Sequence, residues 1–224
     1  MSGVLRAEWL RLRGDYVLLG CLGFVTFTAV ASVVQSSGGG DPHQRIAAAG
    51  IQTAVMAALY GAIRFALEHR DGVFARCVLL NRRAHVLRAK VATSAAGGAV
   101  IGLYGTVLAV LTSRSTVDTT LLWTTLGTMG ASAFAAPWGL LVGSLVRHYV
   151  LAPLAALVSL LAAIPALSAA PAIGRLLPLG GQLSLAYAGT SPPLPAPAAL
   201  AVLAGWLLVL TVVAERVLNT RDVL

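Results

Sequence analysis

Charge is what this 224-residue chain lacks: 11% of it is Asp, Glu, Lys or Arg, against 58% apolar residues. A soluble domain carries about 25% charged residues. So few charges cannot coat a globule of this size, and the surplus apolar surface must face lipid. Lysine is nearly absent: Lys90, in Ala89-Lys90-Val91, is the only one, so the Gly-Lys-Ser/Thr end of a phosphate-binding loop is missing. Cys21 and Cys77 lie far apart with no motif spacing, which points to neither a disulfide nor a metal site. His43, His69, His85 and His148 lack metal-ligand spacing, and Ser, His and Asp form no nucleophile motif. No catalytic residue, metal or cofactor is therefore expected in this chain. A cleavable leader is not expected either, because residues 1–16 are polar and amphipathic.

What the chain does have is six apolar runs, near 16–36, 46–66, 91–112, 121–146, 149–170 and 198–214. Each approaches the roughly 20 residues of a membrane-spanning helix. Pro137 predicts a kink in the fourth, and Pro153 falls in the first turn of the fifth, where a missing N–H matters little. The net charge of +8 does not mark a nucleic-acid binder, because the arginines flank apolar runs instead of forming one patch. With both termini cytoplasmic, 13 of the 16 basic residues fall inside; only Arg45, Arg114 and Arg175 fall outside. That bias predicts an inside N-terminus and an inside C-terminus in a multi-pass cell-membrane protein.

Residues 1–15 read as an amphipathic helix lying in the interface, with Leu5, Trp9 and Leu12 at helical spacing and Arg6, Glu8, Arg11, Arg13 and Asp15 on the polar side. The segment 171–197 holds six of the ten prolines, yet its middle stays apolar. It reads as an external re-entrant or surface helix packed on protein. The interiors of the six runs contain no Asp, Glu or His, which disfavours a proton-coupled carrier. Arg64 and Glu215 stand at cytoplasmic ends, where long side chains snorkel, and Arg64 and Glu68 are spaced as an i,i+4 pair. Gly98/Gly102 and Ala131/Ala135 suit close helix packing within the chain. Gln52 and Thr53, with Thr124 and Thr128, either line a path or make hydrogen bonds between helices and back to the helix's own carbonyls.

The stretch 68–90, with Arg64 just before it, carries seven of the sixteen basic residues. Val73, Phe74, Cys77 and Val78 form an apolar stripe there, with Asp71 as a cap and Arg70 and Arg76 at the polar edge. Such a helix suits docking on a partner; the plainer reading is a basic cluster that sets orientation and meets anionic headgroups.

The residues Glu68-His69-Arg70-Asp71-Gly72, then Val78-Leu79-Leu80-Asn81-Arg82-Arg83, then Arg88-Ala89-Lys90 resemble the motif after the second span of type-2 ATP-binding-cassette (ABC) exporter permeases. Ala7-Glu8-Trp9-Leu10-Arg11-Leu12-Arg13 is similar to that family's elbow helix. His69, Val73 and Asn81 depart from the family's Tyr, Thr and Pro. The resemblance implies an all-α, single-domain permease over 1–224: an elbow helix, six transmembrane helices, a cytoplasmic coupling helix and an external helix before the last span. It further implies that Glu68, His69, Arg70, Asp71, Gly72, Phe74, Arg76, Cys77, Arg82 and Arg83 dock a separate cytosolic ATPase, and that Glu8, Trp9, Arg11 and Arg13 belong to the elbow helix. Two ATPase copies holding ATP and Mg, a second permease subunit and membrane lipid are the implied partners. The cargo would be amphiphilic or hydrophobic: a drug, lipid, antimicrobial peptide or natural product. The rival readings are a secondary carrier or channel, and a non-transporting membrane scaffold.

Overall fold

The computed structural model describes residues 2–35, 42–80, 83–113, 119–186 and 194–220, and among these every regular element is helical. In chain order they are α1 (Ser2–Arg13), α2 (Tyr16–Gln35), α3 (Pro42–Arg70), α4 (Val73–Leu80), α5 (Arg83–Ser113) and α6 (Thr119–Val146). Then follow α7 (Leu151–Leu161), α8 (Ala163–Ala169), α9 (Pro171–Gly174), α10 (Pro178–Leu185) and α11 (Ala196–Thr220).

Five helices are long and apolar enough to cross a membrane, six if α1 and α2, which meet at a 45° bend, make one span. Outward-facing Phe27, Leu111, Trp123, Val158 and Leu208 give the bundle an apolar outside, which only lipid or another apolar surface can cover. This is a multi-pass helical membrane protein.

The spans are longer than the apolar runs that announce them. α3, α5 and α11 continue past their apolar stretches to Arg70, back to Arg83 and on to Thr220. α6 runs through Pro137 without interruption. The fifth span does break, at Ala162 between α7 and α8. Pro165 explains this, since it has no N–H for Leu161 and its ring crowds that carbonyl.

The centre of the bundle is the α3–α6 pair, whose apolar stretches are each 61% buried, whereas that of α11 is 11% buried. The two helices touch backbone to backbone. A side chain at Gly61 would meet the Ala136 carbonyl, and one at Gly139 would meet the Ala58 carbonyl. α5 lies against α6 through Gly98 and Gly102, which face Ser132, so those glycines pack within the chain as expected. The proline-punctuated segment also packs on protein, because Leu179, Gln182, Ser184 and Leu185 of α10 are buried. Tyr187, part of the same apolar stretch, lies outside the described residues.

Candidate functional site

The end of the bundle that carries α1 and α4 gathers most of the charge. Asp71 and Gly72 turn the chain from α3 into α4, and Gly72 has φ 68°, a left-handed conformation that glycine adopts without a steric penalty. Asp71 pairs with Arg70 at 3.5 Å, and no hydrogen bond from it to the first turn of α4 is present among the described residues. Arg70, Asp71 and Arg76 are exposed. The Arg70 guanidinium lies 6.0 Å from the Tyr149 ring, so the α6–α7 connection shares this end. There His148 Nδ1 accepts the N–H of Val150 and of Leu151, both at 3.3 Å, opening α7.

The centre of the apolar stripe of α4 turns into its own bundle, while Val73, Cys77 and Val78 are half-buried. Phe74 is 1% exposed and packs on Phe65 at 5.1 Å between ring centres. It belongs to a cluster with Val86 and Leu87 of α5, Leu140 and Leu141 of α6, and Ala214 and Leu218 of α11, and Cys77 and Val78 pack against it. The reason is energetic: full burial of a Phe side chain contributes about 1.5–3 kcal/mol, and the bundle supplies the cavity itself. His69 is half-buried and stacked on Phe65. Arg82 lies outside the described residues, as does the side chain of Arg83 at the start of α5.

Glu68 also faces inward, and it leads to the most unusual feature of the chain. Arg64, which the sequence places as a snorkelling side chain, is 5% exposed and buried in a charge cluster. Its Nη2 donates to Glu8 Oε2 at 3.1 Å, while its Nε lies 3.4 Å from Asp15 Oδ2 and 3.5 Å from Glu68 Oε1. Its Nη1 reaches the Tyr60 hydroxyl at 3.1 Å and Thr93 Oγ1 at 3.5 Å. Lys90 Nζ donates to Glu8 Oε1 at 3.1 Å and to Glu68. Tyr60 donates to Asp15 Oδ2 at 2.9 Å, and Arg11 Nη1 donates to Glu8 Oε1 at 3.0 Å. Three acids thus face three bases, and a buried charge is tolerated only with such partners.

The cluster gives α1 a buried anchor. Glu8, placed by the sequence on the wet side, is 2% exposed, while Leu5 and Trp9 point outward at 43% and 51%. Among the described side chains of α1 only Glu8 is buried and only Leu12 half-buried. α1 is therefore held by a carboxylate, with Trp9 left for the interface and Arg13 exposed. Asp15, read with the polar side of α1, instead caps α2: its Oδ1 accepts from Val17 N at 3.0 Å and Leu18 N at 3.3 Å. Sequence reasoning missed Asp15, Tyr60, Lys90 and Thr93 as members of one site. The available signals were an Asp just before an apolar run, and Tyr60, Arg64 and Glu68 four apart on α3.

The four residues offered for a path differ in exposure. Gln52 is exposed, and Thr53 is buried against Gly105 with its hydroxyl donated to Gly50 O at 2.9 Å. Thr128 is buried beside Gly50 and Ala186, and Thr124 is half-buried. Among the described residues no three His, Cys, Asp or Glu stand where they could hold a metal ion. The chemistry of this end is therefore the joining of helices by charge and by a shared apolar cluster. No protein-family model matches this chain, and neither a curated protein nor a solved structure is similar to it.

Proposed function

We propose that this chain is the permease subunit of an ATP-driven ABC exporter, working as a dimer with two copies of a separate cytosolic ATPase. Its termini and α4 face the cytoplasm of the cell membrane. The observation that carries this reading is the seating of α4: Phe74 sits in one apolar cluster with side chains of α3, α5, α6 and α11. Close-packed interiors transmit displacement. A push on α4 therefore reaches four membrane helices at once, as rigid-body switching of access requires. The outer side of α4 and its turn, with Arg70, Asp71 and Arg76 exposed, is the face left for the ATPase. Phe74 and Glu68 serve inside the permease and are no part of that face. The cargo is amphiphilic or hydrophobic, in keeping with the six apolar runs, whose interiors hold no Asp, Glu or His.

The test is co-purification of this chain, drawn from its native membrane, with a cytosolic ABC ATPase. Wild-type protein should bring the ATPase down, and Arg70→Glu/Arg76→Glu should lose it while keeping its melting temperature. Transport driven by a proton gradient alone, with no ATPase attached, overturns the proposal.

A further inference from the structure

A shallow open depression of about 420 Å3 lies where the bend between α1 and α2 meets the last turns of α3. Leu10, Val17 and Leu67 supply apolar wall, while Arg11, Asp15 and Glu68 supply charge. Its volume falls within the roughly 300–1,000 Å3 typical of ligand sites. Tyr16, at the mouth, is 87% exposed. Asp15 and Tyr16 open α2, and Leu67 and Glu68 close the apolar part of α3. The depression thus sits at the depth where hydrocarbon gives way to headgroups and interfacial aromatics collect.

The charges on its rim are separated but balanced. Arg64 and Lys90 neutralise the carboxylates from beneath, and Arg11 is balanced by Glu8. Arg11 uses only Nη1, toward Glu8 and Cys77; its Nε and Nη2 make no hydrogen bond among the described residues. A guanidinium edge of that kind takes a phosphate. Glu68 Oε1 is engaged by Arg64 only at 3.5 Å, so it retains capacity to accept from an ammonium.

The geometry points to a binding site for one zwitterionic glycerophospholipid of the ethanolamine class, drawn from the surrounding bilayer. Its phosphate sits at Arg11, its ammonium at Glu68, and its first acyl carbons lie along Leu10, Val17 and Leu67. A choline headgroup has no N–H to offer that carboxylate, and a glycerol headgroup brings no cation to it. The inference needs only membrane placement and stands apart from the exporter reading.

The experiment is native mass spectrometry of the full chain in detergent, with ethanolamine, choline and glycerol phospholipids of matched acyl chains in competition. One ethanolamine lipid per chain should survive at least about tenfold more than either rival, the low end for one charge-assisted hydrogen bond. Arg11→Gln should reduce retention by a similar factor. Leu67→Trp, which fills the depression and leaves the charge cluster intact, should abolish it without lowering the melting temperature. Equal retention of the three lipids, preference for the glycerol lipid, or full retention by Leu67→Trp overturns the inference.

Discussion

Replacing Glu8 by Gln keeps the shape of the side chain and removes one charge. Arg64 and Lys90, with side chains 6% and 2% exposed, each lose an acid at 3.1 Å. Removing one partner from a buried ion pair costs about 3–5 kcal/mol. The low end applies here, because Arg64 retains Asp15 and Glu68, and Lys90 retains Glu68. For a chain of this size about 3 kcal/mol corresponds to roughly 6–12 °C of melting temperature. Lys90→Met alone should cost a similar amount, because Glu8, Asp15 and Glu68 then face only Arg64 and Arg11, one acid in excess. The double variant Glu8→Gln/Lys90→Met leaves two acids against two bases. It should melt at least about 2 °C above the sum of the single effects, the mark of coupled residues. Thermal unfolding in detergent micelles, followed by tryptophan fluorescence, reads these values. Hydrogen exchange adds a local measure, since Glu8→Gln should raise exchange in Ser2–Arg13 before it does so in α3 or α6. The reasoning is refuted if Glu8→Gln melts within 2 °C of wild type, or if the two single losses simply add.

Gly139→Ala drives a methyl group into the Ala58 carbonyl and should destabilise by about 1–3 kcal/mol, the range for overpacking. Gly130→Ala, on the same helix with open space around it, should stabilise by up to about 1 kcal/mol; thermal melts of the pair check both signs. Arg88→Ala removes a 3.1 Å bridge to Glu215, but the Arg88 side chain is 64% exposed, so the loss should stay below about 1 kcal/mol and fade in high salt.

The helices were legible because length and apolarity suffice to mark them, and so was the short helix after Gly72, bounded by a turn and a stripe. The direction that stripe faces was not. Val73, Phe74, Cys77 and Val78 read the same whether they pack on a partner or on their own bundle, and periodicity names no neighbour. The charge cluster was hidden for a different reason. Arg64 bonds Glu8 across 56 residues of chain, and Lys90 bonds Glu8 across 82. Local spacing supplied only the Arg64–Glu68 pair, and an arginine near the end of a span is more economically read as reaching for water. The path residues illustrate the same limit of local spacing: Gln52 and Thr53 are neighbours in sequence, so a helix points them in different directions.

The charge cluster also fixes an order of events in making the protein. By the time Glu68 has emerged, Glu8, Asp15 and Glu68 face only Arg11 and Arg64, which leaves one negative charge in excess. Neutrality arrives with Lys90, at the start of the next membrane helix. Until α5 is in place, closing α1 over α3 would bury an unmatched carboxylate. The N-terminal helix must therefore wait at the membrane surface, and the only lysine in the chain is the latch that brings it in.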